Sequence, residues 1–301
     1  MNKKGIALLI TLLFVMAISV SIGVGLKYVN KTSSEVENEN FLLQSRVVTD
    51  DIINLLKNSQ EMEALANNAS VEGLFIFISQ SSFIPFEISD LKVSMEISSA
   101  RAKFNPNTLS DGNNTVEDKK VDALKEYMSR YRINHTYVDI LLDNMSPANT
   151  SYNSSIFNDN PYLFREYIAS DAHLEEISDF YTQTYYDNNL NNIDFEKLFY
   201  VSPDRYTKID LNYATTEVWE MILGVDKVRA EQLSLGGGSY VDLASLDLDE
   251  DEMKSLARFN VSYFEPILDI RLNISKDEKH ADIRFEYDIK NKQGLNFSYA
   301  I

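Results

Sequence analysis

Three histidines, His135, His173 and His280, and 46 Asp and Glu side chains are what this chain offers for acid–base or metal chemistry. The histidines sit in separate segments. A zinc-hydrolase helix needs two of them one helical turn apart, and His173 is followed instead by Leu174-Glu175-Glu176. No Gly-x-Ser-x-Gly elbow occurs. Gly236-Gly237-Gly238-Ser239 lacks the lysine of a phosphate-binding loop and reads as a flexible turn between helices. Cysteine is absent, which excludes a disulfide framework, a thiolate zinc site and a cysteine nucleophile. Carboxylate pairs recur throughout so acidic a chain, and none stands apart. The expectation is a protein that is not an enzyme. The net charge of −18 also opposes general affinity for nucleic acid or for an anionic membrane surface.

The elements that would position any site begin with a membrane span. Met1-Asn2-Lys3-Lys4-Gly5 is a short basic leader, and Ile6 to Leu26 follows without a charged residue until Lys27. At helical rise this stretch spans about 30 Å, the hydrocarbon thickness of a bilayer. Lys3 and Lys4 mark the cytoplasmic side, so a single-pass topology leaves the rest outside the cytoplasm. An uncleaved signal anchor would need no more than this. Beyond the span, Glu35 to about Leu65 has no Gly or Pro, and Phe41, Ser45, Val48, Ile52, Leu55 and Leu56 recur on one face. The pattern predicts one long helix, half in lipid and half packed on a domain.

Two β regions are expected. Val93, Met95 and Ile97 alternate with polar residues, and the alternation is stronger near the end of the sequence. There Leu268 to Ile274 and Ala281 to Ile289 flank a turn at Ser275 to Lys279, and Leu295, Phe297, Tyr299 and Ile301 would share one face of a third strand. This is the pattern of an antiparallel meander with one face buried. Between the two regions the periodicity is helical, over Val121 to Leu142 and Leu163 to Phe180, with a Ser/Asn-rich loop from Asn144 to Asn160.

Inside the helical stretch, Ile209-Asp210-Leu211-Asn212-Tyr213-Ala214-Thr215 opens the most specific internal signal. Thr215 is suited to N-cap a helix carrying Val218, Trp219, Ile222 and Leu223; Gly224-Val225-Asp226 ends it, and a second helix starts at Lys227. The run resembles a helix-hairpin-helix unit, with Asn212, Ala214, Gly224 and Asp226 at its marked positions. A hairpin of this kind that grips DNA offers backbone N–H groups and basic side chains. Here Asp226 would stand where a phosphate belongs, with Glu217, Glu220, Glu231 and the run Asp247 to Glu252 around it. A protein-interaction or structural use is expected, and Asp247 to Glu252 reads as an acidic helix start.

Taken together, Lys4-Gly5 before Ile6-Ala7-Leu8-Leu9-Ile10, the segment Arg101 to Leu109 with its Asn-x-Asn-x-Leu turn, the Asn212-Tyr213-Ala214 unit and the helical insertion resemble the K-type minor pseudopilin of bacterial type II secretion (general secretion pathway protein K). The resemblance implies cleavage by a prepilin peptidase after Gly5, a methylated Ile6, and a helix retained as the membrane anchor. At the fifth mature position, Ile10 stands where most pilins carry a glutamate, as is typical of the K type and of a subunit at the filament tip. The implied fold class is α+β: a type IV pilin-like N-terminal transmembrane helix on a small antiparallel sheet, with a large inserted all-α domain. The boundaries expected are a leader at 1–5, the N-terminal helix at 6–66 with its span at 6–26, the first part of the core at 67–105, the insertion at 106–261 and the closing strands at 262–301.

The resemblance further implies an inner-membrane protein with its soluble part in the periplasm. Its partners would be I-type and J-type minor pseudopilins and the inner-membrane secretion platform, with no nucleic acid. Calcium in the insertion is also implied, but the acidic loop is reduced to Asp139, Asp143 and Asn144, with Asp159 and Asn160 at its far end. Two other readings remain: a signal-anchored DNA-uptake protein using the helix-hairpin-helix unit, and a minor pilin of a type IV pilus.

Overall fold

A computed structural model describes residues 34–68, 70–147, 150–152 and 156–300, apart from the side chains of 34–38 and 159. Gly5, Ile6, Ile10 and the expected span 6–26 lie outside the described residues. Among the described residues no helix is long and apolar enough to cross a membrane. The chain divides into two compact units, one built from residues up to Ala100 and from Pro266 onward, the other from Arg101–Glu265.

The first unit opens with three helices, α1 (Ser34–Asn58), α2 (Gln60–Asn68) and α3 (Val71–Ser81), and two strands, β1 (Phe83–Ile88) and β2 (Leu91–Ser99). Phe41, Val48, Ile52, Leu55 and Leu56 form the buried stripe of α1, as their spacing predicts. Ser45 and Thr49 are buried in the same stripe without cost in unmet polarity. Their hydroxyls donate back to the carbonyls of Phe41 (2.9 Å) and Ser45 (2.8 Å). The single helix expected to residue 66 is instead broken at Ser59, whose Oγ accepts the Met62 N–H and restarts the chain as α2. Ser70 then N-caps α3 by accepting from Gly73 N–H at 3.0 Å.

The second unit contributes α4 (Asp118–Arg130), α5 (Thr136–Asn144), α6 (Ile156–Asp159), α7 (Asp171–Tyr185), α8 (Phe195–Leu198), β3 (Ile209–Asp210), α9 (Thr216–Leu223), α10 (Lys227–Leu235), α11 (Glu250–Leu256) and β4 (Val261–Ser262). Trp219, Tyr127, Tyr137, Tyr181 and Phe104 are the largest side chains fully enclosed in its core. The helix expected over Val121 to Leu142 is two helices. The chain turns between them at Arg132 (φ 61°), and the Asn134 side chain accepts the Thr136 N–H at 2.9 Å. The stretch from Leu163 turns helical only at Asp171, after Ser170 caps α7 through the His173 N–H. The expected loop from Asn144 to Asn160 contains the short helix α6.

The chain then re-enters the first unit as β5 (Ile267–Lys276), β6 (Lys279–Asp288) and β7 (Gln293–Ala300). The five strands form one antiparallel sheet in the order β1-β2-β5-β6-β7. Register converts the alternation read from sequence into rows across the sheet. Ile84, Met95, Leu272 and Ile283 face one another in turn, and so do Phe86, Val93, Ile274 and Ala281. The α1 helix lies across β5, β6 and β7, and α3 packs on β2.

The last strand departs from expectation. A bulge opposite Arg284 to Glu286, with Asn296 at φ 51°, sets Leu295 opposite Glu286 but Tyr299 opposite Ile283. Leu295 therefore points to the face opposite Tyr299. Phe297 stacks on Phe285 at 5.3 Å, yet Leu295, Phe297 and Tyr299 all stay well exposed at the sheet's edge. Ile301 lies outside the described residues.

Leu272, almost wholly enclosed in the central row, should be critical for this unit. Leu272→Ala is expected to lower the unfolding free energy by about 2–5 kcal/mol. Leu43→Ala, at a position 58% exposed, is expected to change it by less than about 0.5 kcal/mol. Equal denaturant midpoints for the two variants would contradict the packing described.

Candidate interaction site

In the second unit the helix-hairpin-helix-like run folds as α9, a short hairpin and α10. Thr215 caps α9 by accepting from Val218 N–H at 3.2 Å. Gly224 ends it at φ 73°, a conformation that disfavours any residue with a Cβ, while its N–H donates to the Glu220 carbonyl at 3.0 Å. Asp226 caps α10 by accepting the Arg229 N–H at 2.9 Å. Two of the donors, the N–H groups of Gly224 and Arg229, are thus met from within, and a phosphate approaching α10 would meet a carboxylate. Its carbonyls are engaged as well, since Arg130 donates to the oxygens of Val225 (2.5 Å) and Glu220 (2.8 Å). Of the two cations on the first turn of α10, Lys227 and Arg229, Arg229 is held by Glu252 through two bonds of 2.8 and 3.0 Å. Glu252 in turn closes a capping box with Asp249 at the acid-rich start of α11.

Asn212 and Ala214 are buried, and Asn212 is a hub. Its Nδ2 donates to the carbonyls of Tyr240 (2.8 Å) and Tyr263 (2.7 Å), and its Oδ1 accepts from the N–H groups of Gly238 and Tyr240, both at 2.9 Å. One carboxamide thereby satisfies four backbone groups. The glycine run is accordingly not a free turn. A Cβ on Gly237 would lie 2.4 Å from the Asn212 carbonyl oxygen, and Gly238 takes φ 85°. The first motif works the same way. Asn105 donates to the Ser202 and Asp204 carbonyls and to Thr207 Oγ1, and Asn107 exchanges bonds with Ile168 and donates to Ser202. The four marked positions therefore divide into two buried residues that join segments and two that shape the hairpin.

Sequence reasoning missed Asp210 as a functional group. It is fully buried on β3. Its own N–H donates to the Arg101 carbonyl (2.8 Å), and its carboxylate accepts from the N–H groups of Glu265 (2.8 Å) and Asn212 (3.0 Å). The first and last residues of the unit are thus tied to one residue, Arg101 to its backbone and Glu265 to its carboxylate. Burial pushes the carboxyl up to about 6, against the opposing pull of those two N–H donors. Only its place beside Leu211-Asn212 in an apolar–polar alternation hinted at this.

The calcium candidates do not come together. Asp139 pairs with Lys125 at 2.7 Å, and buried Asp143 accepts the Tyr152 N–H at 2.7 Å to hold the loop's backbone. The Asp159 side chain lies outside the described residues. Among the described residues no group of three or more His, Asp or Glu side chains is placed to hold a metal ion. His173 is buried, accepts the Ala169 N–H on Nδ1 at 3.1 Å and meets Asn144 Oδ1 through Nε2 at 3.2 Å; burial lowers its pKa. His280 is exposed on β6. In the first unit the large exposed apolar groups among the described residues are Leu43 and Val47, one turn apart on α1, Phe83 at the start of β1, and the three side chains of β7.

No protein-family model matches the chain, and no curated protein matches it. Among solved structures it is similar to a chain of the GspK-GspI-GspJ complex from the enterotoxigenic Escherichia coli type 2 secretion system. The match has a TM-score of 0.51 at 16% identity and covers 89% of this chain and 96% of that one. The two chains share a fold, a helix-on-sheet unit interrupted by a helical unit.

The raised pKa of Asp210 fixes the sign of a pH effect. A carboxyl that holds its proton more tightly when folded adds stability that is full below about pH 4 and lost as pH rises through about 6. Relative to Asp210→Asn, the wild-type chain is therefore expected to lose roughly 2 kcal/mol of unfolding free energy between pH 4.5 and 7.5. A difference between the two proteins that stays flat across that range would show that Asp210 does not titrate there.

Proposed function

We propose that this chain is a minor pseudopilin of the K type, a non-enzymatic subunit of the type II protein secretion system. The observation that carries this reading is the shared fold, which extends over nearly all of both chains and includes the helical interruption of the sheet. The Lys4-Gly5 leader before the apolar run supports it, and Ile10 supports a place at the pseudopilus tip. A carboxylate in lipid is costly unless paired, so a subunit that need not meet a neighbour's amine has no use for one there. In this reading a prepilin peptidase cuts after Gly5 and Ile6 is methylated. The helix then anchors the protein once across the inner membrane, with its soluble units in the periplasm. I-type and J-type minor pseudopilins and the secretion platform are its partners, and together they start assembly for protein export. The Asp226 cap and the Arg229–Glu252 pair disfavour a nucleic-acid role for the hairpin, because a phosphate would have to displace both.

Leader processing tests the pilin-class part of the proposal. After co-expression with a prepilin peptidase, intact mass and N-terminal sequencing should show loss of Met1 to Gly5 and a methylated Ile6, and Gly5→Arg should block the cut. Normal secretion by an uncleaved protein would refute it, and loss of the whole apolar stretch would make this a soluble exported protein.

The partner assignment has a separate test. Leu43 and Val47 form an exposed apolar step on α1, suited to a neighbouring subunit's helix. Leu43→Glu with Val47→Glu is expected to reduce co-purification with I-type and J-type partners by about tenfold or more, at unchanged thermal stability. Undiminished co-purification would place the contact elsewhere.

A further inference from the structure

The second unit contains an open cleft of about 690 Å³ whose lining, unlike the acidic chain as a whole, sets one arginine against one carboxylate. It lies between the corner that follows α4 and the C-terminal end of α7, and its walls are fixed before any ligand arrives. Tyr181, buried, receives the Asn134 N–H (3.1 Å) and donates to Asp187 (2.5 Å), while Asn189 donates to the Arg132 carbonyl (3.1 Å). These bonds weld the two loops together. They also engage Asp187, the only carboxylate among the described residues lining the cleft, whose oxygens accept from the Tyr181 hydroxyl and the Asn189 N–H while it keeps its charge.

The groups left over are mostly donors. The Arg132 guanidinium makes no ion pair or hydrogen bond among the described residues, and neither do the Tyr185 and Tyr186 hydroxyls. His135 uses Nε2 on Ser129 (2.6 Å), with Nδ1 left over. Tyr185 stacks on Tyr181 at 5.3 Å and offers its outer surface, and Tyr186 is 90% exposed. Arg132 and Tyr186 both hold positive φ, 61° and 53°, on opposite walls. That conformation costs a residue with a Cβ about 1 kcal/mol or more and turns each side chain outward.

We propose that this cleft binds an acidic peptide segment of a partner protein, with a carboxylate on Arg132 and an adjacent aromatic or aliphatic side chain against Tyr185 and Tyr186. An arginine fork with free donors suits a carboxylate. The lining holds three tyrosines and an arginine and carries no Lys or Glu, and Tyr and Arg are the residues enriched at the hot spots of protein-binding surfaces. A metal ion would find a single carboxylate, too few ligands for a site, and a polyanionic nucleic acid would bring many charges against the chain's own where a peptide with one acid brings a single one.

The test presents the full-length chain, immobilised in detergent, with a random hexapeptide library holding one fixed Asp and with the same library holding Asn instead. The fixed-Asp library should be retained at least about tenfold better, enriched in Tyr, Phe or Leu beside the acid, and salt should weaken retention. Arg132→Gln and Tyr186→Asn, the latter a residue that tolerates positive φ, should each remove the enrichment without changing the thermal midpoint. Equal retention of the two libraries, or enrichment that survives Arg132→Gln, would overturn the proposal. So would binding of an acidic oligosaccharide probe while both peptide libraries pass through.

Discussion

The second unit depends on the satisfaction of buried backbone groups by a few polar side chains. A chain that leaves a sheet, builds a helical unit and returns must bury irregular backbone, and every N–H and C=O there needs a partner. Asn105, Asn107, Asn212 and Asp210 supply them. A carboxamide presents two donors and one oxygen with two lone pairs, so one Asn can close four main-chain bonds between segments far apart in sequence. Removing such a group orphans several buried partners at about 1–3 kcal/mol each, which is more than a typical core methylene contributes. The short parallel pairing of β3 with β4, the seat of α9 and the path of the glycine run all follow from where Asn212 and Asp210 hold the main chain.

This explains what could be read from the sequence. The two motifs that carried the resemblance, around Asn105 and Asn212, are buried architecture, so they report fold and say nothing of chemistry. Features set by neighbouring residues were legible too: the Thr215 cap, the positive φ of Gly224, the acidic start of α11 and the alternation of β5 and β6. What escaped notice is decided by tertiary contact. Asn58 and Ser59 are cap-forming residues, but such residues also occur inside helices, so the break at Ser59 is decided by how α1 and α2 pack. The bulge at Asn296 arises from pairing with β6, and one displaced residue reverses the face of Leu295. Asp210 looks like any carboxylate until its burial and its two N–H donors are seen.

The charge balance teaches a related lesson. A net −18 already argued against phosphate binding, but only as a field averaged over the chain. Geometry makes the argument local, because Asp226 occupies the α10 terminus and Arg130 and Arg229 are spent on hairpin carbonyls and on Glu252. The balance differs between α4 and α7, where the one carboxylate lining the cleft is hydrogen-bonded by Tyr181 and Asn189 and Arg132 makes no ion pair among the described residues. Net charge therefore describes long-range steering, whereas each site takes its sign from which groups the fold has already paired.

A fold shared at 16% identity is intelligible on these terms. The positions that determine the architecture are few and buried, and each is constrained by several bonds at once. Most exposed positions face no such demand and drift freely. Partner choice must then be written in the exposed residues, which a likeness of fold does not transmit. Leu43 and Val47 on α1, the aromatic edge of β7 and the outward-held Arg132 and Tyr186 are exposed groups of this kind. Burying apolar side chains or relaxing a positive φ would have been the cheaper arrangement for an isolated chain. These groups are therefore the ones the fold leaves available for contact with another chain.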